Sequence, residues 1–157
     1  METLDCCPVC YEDHGQAYNG ILQLRNYDES IIRFIDSELE KGHSKGKYCI
    51  KLIEFKGGID YMFSSASFTR HIGKLLLQRF GGEFKETARL VTRSKETSKD
   101  LYRLTVLFRV PKFKKGEIVS YKGREVKILN FGNKVYISDI RTNKKERVPY
   151  GRINARN

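Results

Sequence analysis

The 157-residue sequence has no apolar run near the roughly 20 residues that a membrane helix needs, and so offers no span across a bilayer. Its N-terminus has no basic start followed by an apolar core, which argues against a secretory signal. No segment repeats, and none is of low complexity. A phosphate-binding glycine loop is missing too. Gly57-Gly58 and Gly81-Gly82 have no Lys-Ser/Thr beside them and read as a turn and a helix cap. The three histidines, His14, His43 and His71, have no nucleophile or carboxylate at a recognisable spacing. The expectation is a cytoplasmic chain that meets no membrane and is not an enzyme.

Cysteine is scarce and crowded. Of the four, Cys6, Cys7 and Cys10 sit together and Cys49 stands apart. Neighbouring cysteines rarely satisfy bridge geometry with each other, so reduced thiols are the simpler reading. Cys7-Pro8-Val9-Cys10 has the spacing of half a zinc knuckle. The other half is missing: there is no second C-x-x-C, Cys6 and His14 are only near in sequence, and Cys49 would have to arrive from a strand. Cys7 and Cys10 are therefore candidate ligands of an incomplete site. A metal-free remnant stands beside a bound zinc as a reading, zinc is expected below full occupancy, and no other cofactor is expected. Residues 1–16 hold few large apolar side chains, so little burial offsets the entropy of ordering them, and poor order is expected.

Positive charge is what the sequence has in excess. The net charge is +11, and it is unevenly placed. Residues 1–68 carry 7 Lys/Arg against 11 Asp/Glu, whereas residues 69–157 carry 23 against 8. Such an excess on a folded domain repels itself, and a polyanion relieves it. Nucleic acid fits better than a membrane surface, because no basic amphipathic helix with exposed large apolar residues accompanies the charge. Nine Tyr and nine Phe along the chain argue against disorder.

Periodicity gives the elements. A strand is expected over 18–25. Asp28 then caps a helix from Glu29 to about Lys41, with Ile31, Ile32, Ile35 and Leu39 at helical spacing and Gly42 ending it. Two apolar strands, 48–55 and 59–63, flank a tight Lys56-Gly57-Gly58 turn. A second helix over 66–80, capped by Ser64 or Ser65, buries Phe68, Ile72, Leu75 and Leu76 and carries Arg70 and Lys74 on another face. Two further strands, 83–93 and 101–110, flank the polar stretch 94–100. The order β-α-β-β-α-β-β is ferredoxin-like with one added strand: an α+β fold with an antiparallel sheet and two helices on one face. The segment Lys56–Phe63 faintly resembles the third strand of an RNA-recognition motif, but the two central aromatics that should stack on bases are absent, and Tyr61 and Phe63, as strand aromatics that usually face the helices, are expected in the core.

Pro111 marks a boundary, after which only short strands follow, near 118–121, 125–130, 134–140 and 146–149. About 45 residues of this kind suggest a small all-β SH3-like barrel, near the lower size limit for a stable core. The expected organisation is a knuckle remnant over 1–16, a ferredoxin-like domain over 17–110 and a basic barrel over 111–157. Residues 111–157 carry 13 Lys/Arg against 4 Asp/Glu. Lys112, Lys114 and Lys115 enter the barrel, Lys122 and Arg124 flank one turn, and Arg141, Lys144, Lys145 and Arg147 surround another. Long cations at turns can reach phosphates, so these nine, with Arg70 and Lys74, are the candidate nucleic-acid-binding residues. Tyr121, Phe131, Tyr136 and Tyr150 interleave with them; one or two could stack on unpaired bases, while most should be core.

Five stretches, in order, resemble one known family. They are Cys7–Cys10, YNGILQLRN at 18–26, IDYMFSS at 59–65, GGEFKETARLVTR at 81–93 and YRLTVLFRVPKFKKGEIV at 102–119. Together they look like the archaeal branch of the large-ribosomal-subunit nuclear export adaptors, the nonsense-mediated-decay protein three family. The resemblance implies binding to the large ribosomal subunit near its tRNA sites, with a role in subunit maturation, storage or surveillance. It also implies that the C-terminal segment is the family's SH3-like domain. The sequence departs from the pattern in keeping one C-x-x-C, and it shows no charged tail with leucine-rich export signals, so shuttling is not expected. The partners expected are the large subunit and its rRNA. Two alternatives stand beside this: a module that grips a ribosomal protein or assembly factor through the acidic first third, and an RNA-processing enzyme.

Overall fold

A computed structural model of the chain describes residues 2–4, 18–93 and 100–153. The Cys7–Cys10 knuckle lies outside the described residues. Among the described residues ten strands and two helices follow in order: β1 Glu2–Leu4, β2 Gly20–Arg25, α1 Glu29–His43, β3 Cys49–Phe55, β4 Gly58–Phe63, α2 Ala66–Phe80, β5 Glu83–Arg93, β6 Asp100–Arg109, β7 Ile118–Tyr121, β8 Arg124–Phe131, β9 Val135–Asp139 and β10 Lys145–Val148. A single 3-10 turn, Tyr150–Arg152, comes last.

The first six strands make one sheet in the order β1-β3-β4-β2-β6-β5. Two helices and this sheet share one core, in which Leu22, Leu24, Ile59, Tyr61, Phe63, Leu104, Val106 and Phe108 meet Ile31 and Ile35 of α1 and Phe68, Ile72 and Leu76 of α2. This is the α+β layout expected. Tyr61 and Phe63 are 1% and 0% exposed, so they belong to the core and not to a stacking platform. The added strand does not extend an edge. It inserts as β6 between β2 and β5 and runs parallel to β2, the one parallel pair in an otherwise antiparallel sheet.

Local chemistry starts and stops the helices. The Asp28 side chain accepts the Ile31 N–H and the Ser65 hydroxyl accepts the Phe68 N–H, each satisfying an orphan donor of the first turn. Gly42 does not end α1, as its position suggested; the helix runs on to His43 and caps at Ser44. Gly42 is glycine for another reason: a Cβ there would lie 2.6 Å from the Phe68 ring, so the helices could not approach as closely. At the N-terminus, Glu2–Leu4 form a strand along β3, where poor order was expected. Without it β3 would be an edge with unpaired backbone groups, which is what an added strand satisfies. Cys49 opens β3 and is disulfide-bonded, where a thiol was expected.

The last four strands form a separate antiparallel sheet in the order β10-β9-β8-β7. Val119, Tyr121, Val126, Ile128, Val135, Ile137 and Val148 face inward and pack with Phe113 and Ile153. Turn chemistry sets the register: Lys122 and Gly123 between β7 and β8 have φ of 49° and 75°, the double positive φ of a type I′ hairpin. Tyr150 ties the two sheets together. Its hydroxyl donates to the Gly132 carbonyl at 2.6 Å and also meets the backbone of Gly82, and burial pushes its pKa up to about 12.

Candidate nucleic-acid interface

The antiparallel register gathers part of the expected basic set and scatters the rest. The β7–β8 and β9–β10 turns lie at the same end of the small sheet, since Val126 pairs with Asp139 and the Ile140 N–H reaches the Glu125 carbonyl. Lys122, Arg124, Arg141, Lys144 and Lys145 therefore share one rim. All five are exposed.

The rim is organised by one buried acid. Asp139, 5% exposed, accepts the backbone N–H of Arg141 at 2.9 Å and of Thr142 at 3.2 Å. These hydrogen bonds, with Arg124 alongside, hold its carboxyl below the usual carboxylate range. Arg124 reaches Asp139 at 3.2 Å and Glu146 at 3.8 Å, and Lys144 lies 3.7 Å from Glu146. Two of the five cations are thus partly neutralised within the rim. Lys122 lies over the Tyr121 ring, its Nζ 5.4 Å from the centroid.

From the rim a basic strip continues onto the outward face of the sheet. Strand alternation places Lys145 opposite Ser138 and Ser138 opposite Lys127, so two lysines flank a serine across three strands. Beside them Arg147 pairs with Tyr136 and lies 5.2 Å from its ring centroid. Tyr136 is 37% exposed, whereas Tyr121 is buried and Phe131 and Tyr150 are partly buried, packed against the core of the small sheet. Tyr136 is therefore the one of the four aromatics that faces outward. Lys127 was absent from the expected set. Its signal was the alternation of Glu125 and Lys127 with buried Val126 and Ile128, a strand pattern and not a turn.

Other expected residues lie elsewhere. Lys112, Lys114 and Lys115 are at the opposite end, where Phe113 packs on Phe131 and Tyr150 and the Gly116 N–H reaches the Ile128 carbonyl. Lys112 lines a cleft of about 410 Å³ between the two sheets, with Arg25, Glu83 and Arg109. Arg70 is held by Glu86, its Nε 2.9 Å from the carboxylate, and this hydrogen bond lowers the Glu86 pKa; Lys74 is exposed near the same acid. Among the described residues no group of three or more His, Cys, Asp or Glu could hold a metal ion. Among the same residues no helix is long and apolar enough to cross a membrane.

A strip of long cations around one exposed tyrosine, on the outward face of the small sheet, can do one kind of chemistry well. It can pair with phosphates and offer a ring to a base. No curated protein matches this sequence. A family model described as NMD3, second domain, does match, over residues 17–110. Those residues take in both helices and strands β2 to β6, and they are more than half of the 157. On that match, the chain belongs to the NMD3 family.

Proposed function

We propose that this chain binds ribosomal RNA on the large subunit, through the rim and outward face of its small β sheet, and acts there in subunit maturation, storage or surveillance without catalysing a reaction. The NMD3 family is linked to export and biogenesis of the large ribosomal subunit, and it is an adaptor family rather than a known enzyme family. The observation that carries the reading to RNA is the strip Lys122, Lys127, Lys145 and Arg147 around exposed Tyr136. Among described residues, none of these four cations is in an ion pair. Phosphate contacts release counterions, so such an interface weakens steeply as salt rises.

Tagged protein sedimented with native lysate at graded salt tests this. The protein is expected in the large-subunit fraction at low salt and free at high salt. Replacing Lys127, Lys145 and Arg147 with Glu should release it at low salt while circular dichroism stays unchanged. Absence from the large-subunit fraction, or a triple variant that stays bound with the wild-type salt slope, would refute the reading.

A further inference from the structure

Strands β5 and β6 outrun their sheet. The last β2 partner of β6 is Leu104, opposite Gly20. Beyond it Arg89–Arg93 and Asp100–Arg103 continue as a two-stranded ribbon with no third strand among the described residues. Leu90, Val91, Leu101 and Tyr102 on this ribbon are each about half exposed, the densest group of exposed large apolar residues described. The ribbon root carries an arrangement that costs stability. Arg89 and Arg103 are direct cross-strand partners, and like charges directly opposite repel.

Both arginines face away from the helices, since Leu104, Val106 and Phe108 take the alternate positions that face the core. Arg103 is spread over the Tyr18 ring, its guanidinium carbon 4.0 Å from the centroid, and its Nε donates to the Tyr18 carbonyl at 3.2 Å. This fixes the guanidinium plane beside Arg89, which is exposed and has no ion pair among described residues. Between them lies a groove of about 310 Å³ lined by Ile21, Arg89, Leu90, Val91, Arg103 and Thr105, with no carboxylate among the described residues of its wall.

We infer that Arg89 and Arg103 hold a phosphate of an RNA backbone at the root of the β5–β6 ribbon, a second contact remote in sequence from the small-sheet strip. Two arginines paired across the strands and lining one groove, with no acid among its described residues, lack a counter-charge there, and a phosphate supplies it with acceptors for both forks. The apolar side chains further along the ribbon fit a nucleic-acid partner too, because they can lie against sugars and base faces. The inference rests on the rRNA reading above and extends it to a different domain.

The test uses the full chain and compares R89Q, R89K and R103Q with wild type, on purified large subunits and on deproteinised large-subunit rRNA. R89Q should weaken binding to both and make the slope of log affinity against log salt shallower by about 0.7 to 0.9. R89K, which keeps the charge, should retain most of the slope. Because R89Q removes the cross-strand repulsion, its Tm should stay level or rise while binding falls, which excludes misfolding as the cause. R103Q should weaken binding at least as much. Unchanged affinity and slope in R89Q, with wild type bound, would overturn this site and leave the rRNA reading standing. Loss on intact subunits without loss on deproteinised rRNA would assign the pair to an acidic protein and overturn it as well. Failure of wild type to bind either would overturn both readings together.

Discussion

Arg124 on β8 donates to the carboxylate of Asp139 on β9 at 3.2 Å, and so the arginine that opens the basic rim is also part of what holds the rim together. Asp139 has a pKa lowered from 3.8, first by the hydrogen bonds from Arg141 and Thr142. A lowered carboxyl pKa contributes stability that is present above 3.8 and lost as pH falls through the folded value. Thermal melts between pH 5 and pH 2 should therefore show a loss that Asp139→Asn does not share, the variant being less stable at pH 7. Arg124→Glu should also lower Tm, so it is unsuited to a pure test of RNA binding. Identical melting of Asp139→Asn and wild type at pH 7 would show that the carboxylate does not hold the turn.

Lys122 has positive φ, which a residue with a Cβ adopts at a cost, whereas asparagine tolerates it well. Lys122→Asn should therefore stabilise the small sheet, by up to about 1 kcal/mol, while removing one cation from the rim. Urea melts should show a higher midpoint with unchanged slope, and the affinity for large subunits should fall. A lower midpoint would mean that the lysine, over the Tyr121 ring, contributes more to the turn than its backbone costs.

Tyr150 predicts an alkaline effect. Its pKa is raised from 10.0 to about 12, so between those values the unfolded chain loses a proton that the folded chain keeps. Stability should decline as pH rises from 10 to 12, and Tyr150→Phe should decline less. At neutral pH the same variant should lose about 0.5–1.5 kcal/mol with the hydrogen bond to Gly132. Parallel alkaline profiles of variant and wild type would refute the assignment.

The state of the cysteines can be counted. With Cys49 in a disulfide, alkylation of denatured protein without reductant should modify no more than two of the four cysteines and leave Cys49 unlabelled. Elemental analysis should return clearly less than one zinc per chain. Labelling of Cys49 would refute the bridge, and stoichiometric zinc lost on Cys7→Ser or Cys10→Ser would refute the metal-poor reading.

What the sequence made legible was whatever depends on near neighbours. The span of α2, its Ser65 cap, the Asp28 cap of α1 and the burial of Tyr61 and Phe63 all follow from periodicity within a few residues. Three features did not. The insertion of β6 beside β2 joins segments some 80 residues apart, and nothing in either strand names its partner. Gly42 looked like a stop because the ring that requires it, Phe68, comes from another helix. The charges of Arg70 and Arg124 are met by Glu86 and Asp139, 16 and 15 residues away, so their neutralisation becomes visible only with the pairing register. The basic rim was legible because its turns are local, whereas the Arg89–Arg103 pair, a cross-strand feature, was not, and Lys127, whose alternation is local, lies on a strand and not at a turn.

The position of β6 also bears on how the chain folds. A ribosome releases sequence from the N-terminus at about 5–20 residues per second, and β6 is the last strand of the large sheet to emerge. Until it does, one side of β2 has no partner and β5 has no neighbour at all, so neither helix can close over a complete layer. The α+β unit thus completes its sheet from the inside and not by growth at an edge. Loop closure over the whole unit precedes the contacts that reward it, which makes folding slow relative to a meander of the same size. The small sheet, a meander in which every strand pairs with the one before it, has no such wait.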